Sequence, residues 1–93
     1  MIFPDNIGEY LTIDETSLSQ GELYTIITNK AAKGRKGSLV AIIKGVDSER
    51  IRSILRRKIS YEQRRAVKEV TLDMAASMEQ IVRKTFTKAT LVT

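Results

Sequence analysis

Two short stretches of this chain carry the same side-chain pattern. Leu11-Thr12-Ile13-Asp14 and Val70-Thr71-Leu72-Asp73 each run apolar, Thr, apolar, Asp. Successive side chains of a strand alternate between faces, so Asp14 shares a face with Thr12 and Asp73 with Thr71, while the apolar residues pack on the other side. If the two strands are parallel neighbours, about 4.8 Å apart, their carboxylates meet. Two acids held that close repel unless a proton or cation lies between them, and an all-oxygen donor set suits Mg²⁺ or Mn²⁺. Metal-dependent phosphoryl transfer is the chemistry that such a pair could begin.

Composition narrows the alternatives. The 93 residues contain no Cys and no His, which excludes a disulfide scaffold, a Cys/His zinc site and any Cys-His or Ser-His-Asp machinery. No apolar run approaches the ~18 residues needed to span a bilayer, and no basic start precedes an apolar stretch, so a soluble cytoplasmic chain without a membrane partner is expected. Charge is unevenly placed. Residues 1–29 hold five acids and no base, whereas residues 30–93 hold all sixteen bases against six acids. A polyanionic partner for the later segment is one reading, and a solvated basic helix face is the other.

The elements that must position the two acids follow from periodicity. After an irregular lead, Met1 to Gly8, strand one is expected over Glu9–Glu15 and strand two over Leu23–Thr28, paired antiparallel after the turn at Gly21. A polar loop, Asn29 to Ser38, leads to Leu39–Ile43, a continuous apolar run of the kind covered on both faces. Asp47 or Ser48 can cap a helix whose apolar positions are Ile51, Ile54, Leu55 and Ile59. Ser60-Tyr61-Glu62-Gln63 has capping-box spacing and suggests a second short helix through Val67. Strand four is Val70–Asp73. An amphipathic helix from Met74 to about Phe86 presents Met78, Ile81, Val82 and Phe86, and Ala89–Thr93 is strand five. With right-handed crossovers this single α/β domain, residues 1–93, has a mixed five-stranded sheet in the order 3-2-1-4-5, with helices after strands three and four. Strands one and four are then adjacent and parallel.

Ile13-Asp14-Glu15-Thr16 with Gly21-Glu22-Leu23-Tyr24, then Thr28-Asn29-Lys30-Ala31-Ala32-Lys33-Gly34 and Val70-Thr71-Leu72-Asp73-Met74, resemble the catalytic core of bacterial insertion-sequence DDE transposases. The resemblance covers nearly the whole chain. It implies a ribonuclease H-like fold, DNA as substrate, and three acids holding two divalent metals, with Asp14 as the first acid and Asp73 as the second. Two ions ~3.5–4 Å apart stabilise both the attacking and the leaving oxygen in an in-line displacement at phosphorus. In that family strand five runs on into further helices that carry the third acid. The resemblance therefore implies a C-terminally truncated fragment, the N-terminal part of the core, with weak metal binding and little catalysis of its own.

Each acid also has a plain structural role available. Asp73 before Met74-Ala75-Ala76 fits a helix N-cap, and Asp14 with Glu15 and Thr16 could organise the exit of strand one through side-chain to backbone bonds. Glu15 should face away from Asp14. Lys30, Lys33, Arg35 and Lys36, with Gly34 and Gly37, are candidate contacts to a phosphate backbone. The denser tract from Arg50 to Lys68 is expected behind the sheet as a solvated face. Two other functions compete with a transposase core: a nuclease on the same fold, and a non-catalytic α/β module that binds nucleic acid or self-associates into a homo-oligomer through an exposed strand five.

Overall fold

Alternation of apolar and polar residues organises the strands, and a computed structural model describes residues 1–17, 21–32, 38–72 and 76–92. Strands β1 (Tyr10–Ser17), β2 (Leu23–Asn29), β3 (Leu39–Lys44), β4 (Glu69–Leu72) and β5 (Thr90–Val92) form one sheet in the order β3-β2-β1-β4-β5. β1 pairs antiparallel with β2, and β2 with β3; β4 lies parallel to β1, and β5 parallel to β4. The expected strand order and the parallel β1/β4 pair are therefore present.

Helices α1 (Ser48–Lys58), α2 (Tyr61–Arg65) and α3 (Ala76–Thr85) follow β3 and β4. Ile51, Leu55 and Ile59 recur every four residues and are fully buried, as are Met78, Ile81, Val82 and Phe86 of the α3 segment. They meet Leu11, Ile13, Ile27, Ala41, Ile43, Val70 and Leu72, which all project from one face of the sheet by the strand register. The core lies between that face and the helices. Gly45 ends β3 at φ 99, a left-handed conformation that a side chain resists, and its carbonyl accepts the buried Thr25 hydroxyl at 2.8 Å.

Side chains supply the helix starts. Asp47 is the N-cap of α1, its Oδ1 accepting from the N–H groups of Glu49 (3.0 Å) and Arg50 (3.4 Å). Ser60 and Gln63 form the reciprocal capping box of α2. Asp47→Ala leaves two donors unpaired and should lower the unfolding free energy by about 1 kcal/mol in urea denaturation, whereas Asp47→Ser should be nearly neutral.

Several details differ from the sequence reading. The lead is not irregular throughout: Ile2 bridges Ala41 antiparallel, the Phe3 N–H donates to the Val40 carbonyl (2.7 Å), and Pro4–Asn6 form a 3-10 turn. This short pairing covers the outer edge of β3, leaving β5 as the uncovered edge among the described residues. β3 is not buried on both faces. The register with β2 shifts between Ile27 and Thr28, which buries the extra residue Val40, while Ile42 remains half-buried on the face opposite the helices. α2 stops at Arg65, two residues short of Val67, and β1 continues two residues beyond Glu15.

Candidate metal centre

The face of the sheet opposite the helices carries the polar halves of the two repeated stretches. In β1 the burial alternates, with Leu11 and Ile13 buried and Thr12 and Asp14 half-buried on this other face. The registers Thr12↔Thr28 and Thr12↔Thr71 place three threonines in one row across β2, β1 and β4. Thr12 and Thr28 join through their hydroxyls. One step further toward the carboxyl ends of the parallel strands, Asp14 stands opposite Ile26 of β2.

Asp14 uses one carboxylate oxygen locally: Oδ1 accepts from the Glu15 N–H at 3.0 Å. The bond is local to β1, which runs three residues past Asp14 to Ser17, so Asp14 lies within the strand and not at the exit expected from the sequence. Asp14 forms no ion pair with any described residue. Its second oxygen is thus available to a hard cation, and the surrounding hydroxyls are oxygen donors of the matching kind. Glu15 is exposed and alternates to the other side of β1, opposite Thr25, as its position next to Asp14 requires. Asp73 lies outside the described residues; β4 is described as far as Leu72, which pairs with Ile13. No cluster of three or more His, Cys, Asp or Glu occurs among the described residues.

Of the four basic loop residues, Lys30 is described and Lys33, Arg35 and Lys36 are outside the described residues. Lys30 follows β2 and reaches back over the same face as Asp14, its Nζ donating to Thr71 Oγ1 (3.2 Å) and lying 3.8 Å from Glu69 Oε1. A cation is therefore held beside the threonine row, a short distance below the acid. Sequence reasoning paired Thr12 with Thr71 but missed Thr28 as the third member of the row. Its signal was the antiparallel hairpin register, which no residue pattern in β2 announces.

Other features lie away from this face. A groove of ≈ 410 Å³, lined by Val82, Arg83, Phe86, Ala89 and Leu91 among others, runs between the end of α3 and β5, at the end of the molecule opposite Asp14. No helix among the described residues is long and apolar enough to cross a membrane.

Comparison with known proteins adds one finding. A family model described as Transposase, DDE_Tnp_ISL3, matches residues 11–93, from the first buried residue of β1 to the last residue of the chain. No curated protein and no solved structure matches.

Proposed function

The chain belongs to this insertion-sequence transposase family, and from that premise we propose that it is the N-terminal part of a ribonuclease H-like catalytic core that acts on DNA. The observation that carries the reading is the parallel β1/β4 pair. Its register, Thr12↔Thr71 and Ile13↔Leu72, carried one residue further would set Asp14 against Asp73. Three antiparallel strands followed by two parallel ones, with helices in the crossovers, agree with a ribonuclease H-like sheet.

In this reading Asp14 and Asp73 hold Mg²⁺ or Mn²⁺ through carboxylate oxygens. A divalent ion there supplies charge stabilisation at the phosphodiester and lowers the pKa of attacking water. Asp14 fits the task because the Glu15 N–H engages Oδ1 and no cation among the described residues pairs with the carboxylate. Lys30 and the threonine row supply donors for phosphate oxygens on the same face, contacts that position DNA without reading its sequence. The uncovered edge of β5 is where a homo-oligomer would form by strand pairing.

A Mn²⁺ titration followed by NMR tests the metal site. Paramagnetic broadening should start at the amides of Thr12 to Glu15 and of Thr71 and Leu72, with a dissociation constant in the millimolar range because two carboxylates make a thin donor set. Amides that stay sharp there at high millimolar Mn²⁺ would leave Asp14 with only its local backbone bond within β1 and remove the catalytic reading.

A further inference from the structure

The two ends of this molecule carry opposite charge, and the strand directions show why. β1, β3 and β4 end at the pole that holds Asp14, so α1 and α3, which follow β3 and β4, both run away from it. The contacts agree. Gly45, just ahead of α1, receives Thr25 from the start of β2, whereas Gln63, just after α1, donates to the Pro4 carbonyl beside the start of β3. Thr90, after α3, donates its N–H to the Lys68 carbonyl at the start of β4. The C-terminal turns of both long helices therefore come together at the far pole, about 16 Å from the Asp14 end by the length of an 11-residue helix.

That pole gathers Arg56, Arg57 and Lys58 from α1 with Lys84 and Lys88 from the end of α3, all exposed. None of the five takes part in an ion pair among the described residues. Of the acids at that pole, Glu62 pairs with Arg65, Glu9 with Lys68 and Glu69 with Lys30, while Asp5, next to Pro4, is exposed and in no ion pair among the described residues. Glu9 also holds the Lys68 ammonium above the usual lysine range, by its hydrogen bond first and its charge second. A helix dipole favours one or two cations in a last turn but does not require five without counter-charge. Beside them Tyr61 is half exposed with the Arg64 guanidinium 5.7 Å from its ring centroid, and Arg52, one turn ahead of Arg56, has a buried Nε without a partner among the described residues.

We propose that this basic pole is a second DNA-binding surface, which grips the phosphates of a duplex segment other than the one presented to Asp14. The inference rests on DNA being the substrate and adds a separate contact to it. The spacing decides that the contact is separate: cations a helix length from the acids cannot hold the phosphate being cleaved. Lys and Arg exposed at the ends of two helices recognise backbone charge, so binding is independent of sequence and steeply dependent on salt.

The test is fluorescence anisotropy of the 93-residue chain with a mixed-sequence duplex of about 20 base pairs, without divalent metal, between about 50 and 200 mM salt. Five phosphate contacts give a slope of log K against log salt of about −4.5. The triple variant Arg56→Gln, Arg57→Gln, Lys58→Gln should be shallower by nearly 3 and bind at least ten-fold more weakly at about 100 mM salt, with an unchanged circular dichroism spectrum. A triple variant that binds like the wild type overturns the proposal even if Mn²⁺ reaches Asp14, as does a wild-type chain that ignores the duplex at low salt. Loss of binding in the triple variant sustains it even if Mn²⁺ does not bind, in which case the metal reading alone falls.

Discussion

Asp14→Asn is expected to stabilise the metal-free chain by about 1 kcal/mol and to erase its response to Mn²⁺. On the proposed pairing of Asp14 with Asp73, carboxylates about 5 Å apart would repel by roughly 1–3 kcal/mol at effective dielectric constants of 80 down to 20, and a half-buried residue such as Asp14 belongs near the low figure. Asn is the informative replacement because its Oδ1 still accepts the Glu15 N–H, so the strand keeps this local bond while the charge disappears. Thermal unfolding in chelator should therefore shift upward by about 4–8 °C, the usual response of a domain of this size to 1 kcal/mol. In the wild type, Mn²⁺ at ten times its dissociation constant adds about 1.4 kcal/mol by mass action, and the Asn variant should gain none of it. Asp14→Ala separates the roles further, since it loses the backbone bond as well and should fall below Asp14→Asn in stability. If Asp14→Asn still gains stability from Mn²⁺, the ion sits elsewhere. If it loses stability without metal, no second carboxylate faces it.

This opposition of stability and function accounts for what could be read in advance. The repeated apolar-Thr-apolar-Asp stretches were legible because a parallel pair needs both strands in the same phase, and β1 and β4 pair with Thr12 against Thr71. Right-handed crossovers then fixed the strand order, and the spacing of Ile51, Leu55 and Ile59 placed the α1 segment against the sheet. What escaped lacks a period. The Ile2↔Ala41 bridge is a single residue pair and leaves no alternation to detect, and the shift at Ile27/Thr28 is invisible in a run of apolar residues where either register keeps one face buried. For the same reason Ile42 read as interior although it is only half-buried on the Asp14 face. The charge asymmetry was countable in the sequence, yet its meaning was not: helix directions gather the basic turns of α1 and α3 at one pole. From Arg56 onward, the tract expected to be a solvated face is thereby concentrated at the end remote from Asp14, whereas Arg50 stays by the Lys44 carbonyl at the near end.

Phe86→Ala should cost about 3 kcal/mol of unfolding free energy, the largest loss expected from a single truncation here. Phe86 is 1% exposed, immediately follows α3 and donates its N–H to Val82 at 2.8 Å, while its carbonyl takes the Ala89 N–H at 3.0 Å as the chain turns toward β5. It therefore joins the helix, the turn and the edge strand. Truncations of Phe span about 3–5 kcal/mol according to how far the site can relax, and this one borders the groove between α3 and β5, where solvent replaces part of what is lost. The low end follows. Against a total of roughly 5–14 kcal/mol for 93 residues, such a loss consumes a large share of the native state's margin. With a urea m-value of about 1.5 kcal/mol/M the midpoint should fall by roughly 2 M at unchanged slope. Phe86→Leu, which keeps most of the volume, should lose much less. Because Lys84 and Lys88 flank Phe86, loosening this turn should also weaken duplex binding at temperatures where the chain remains folded, without touching the Mn²⁺ response at the other pole. A loss below 1 kcal/mol for Phe86→Ala would mean that the end of α3 is not anchored in the core, and the basic pole would then have no fixed geometry with which to meet DNA.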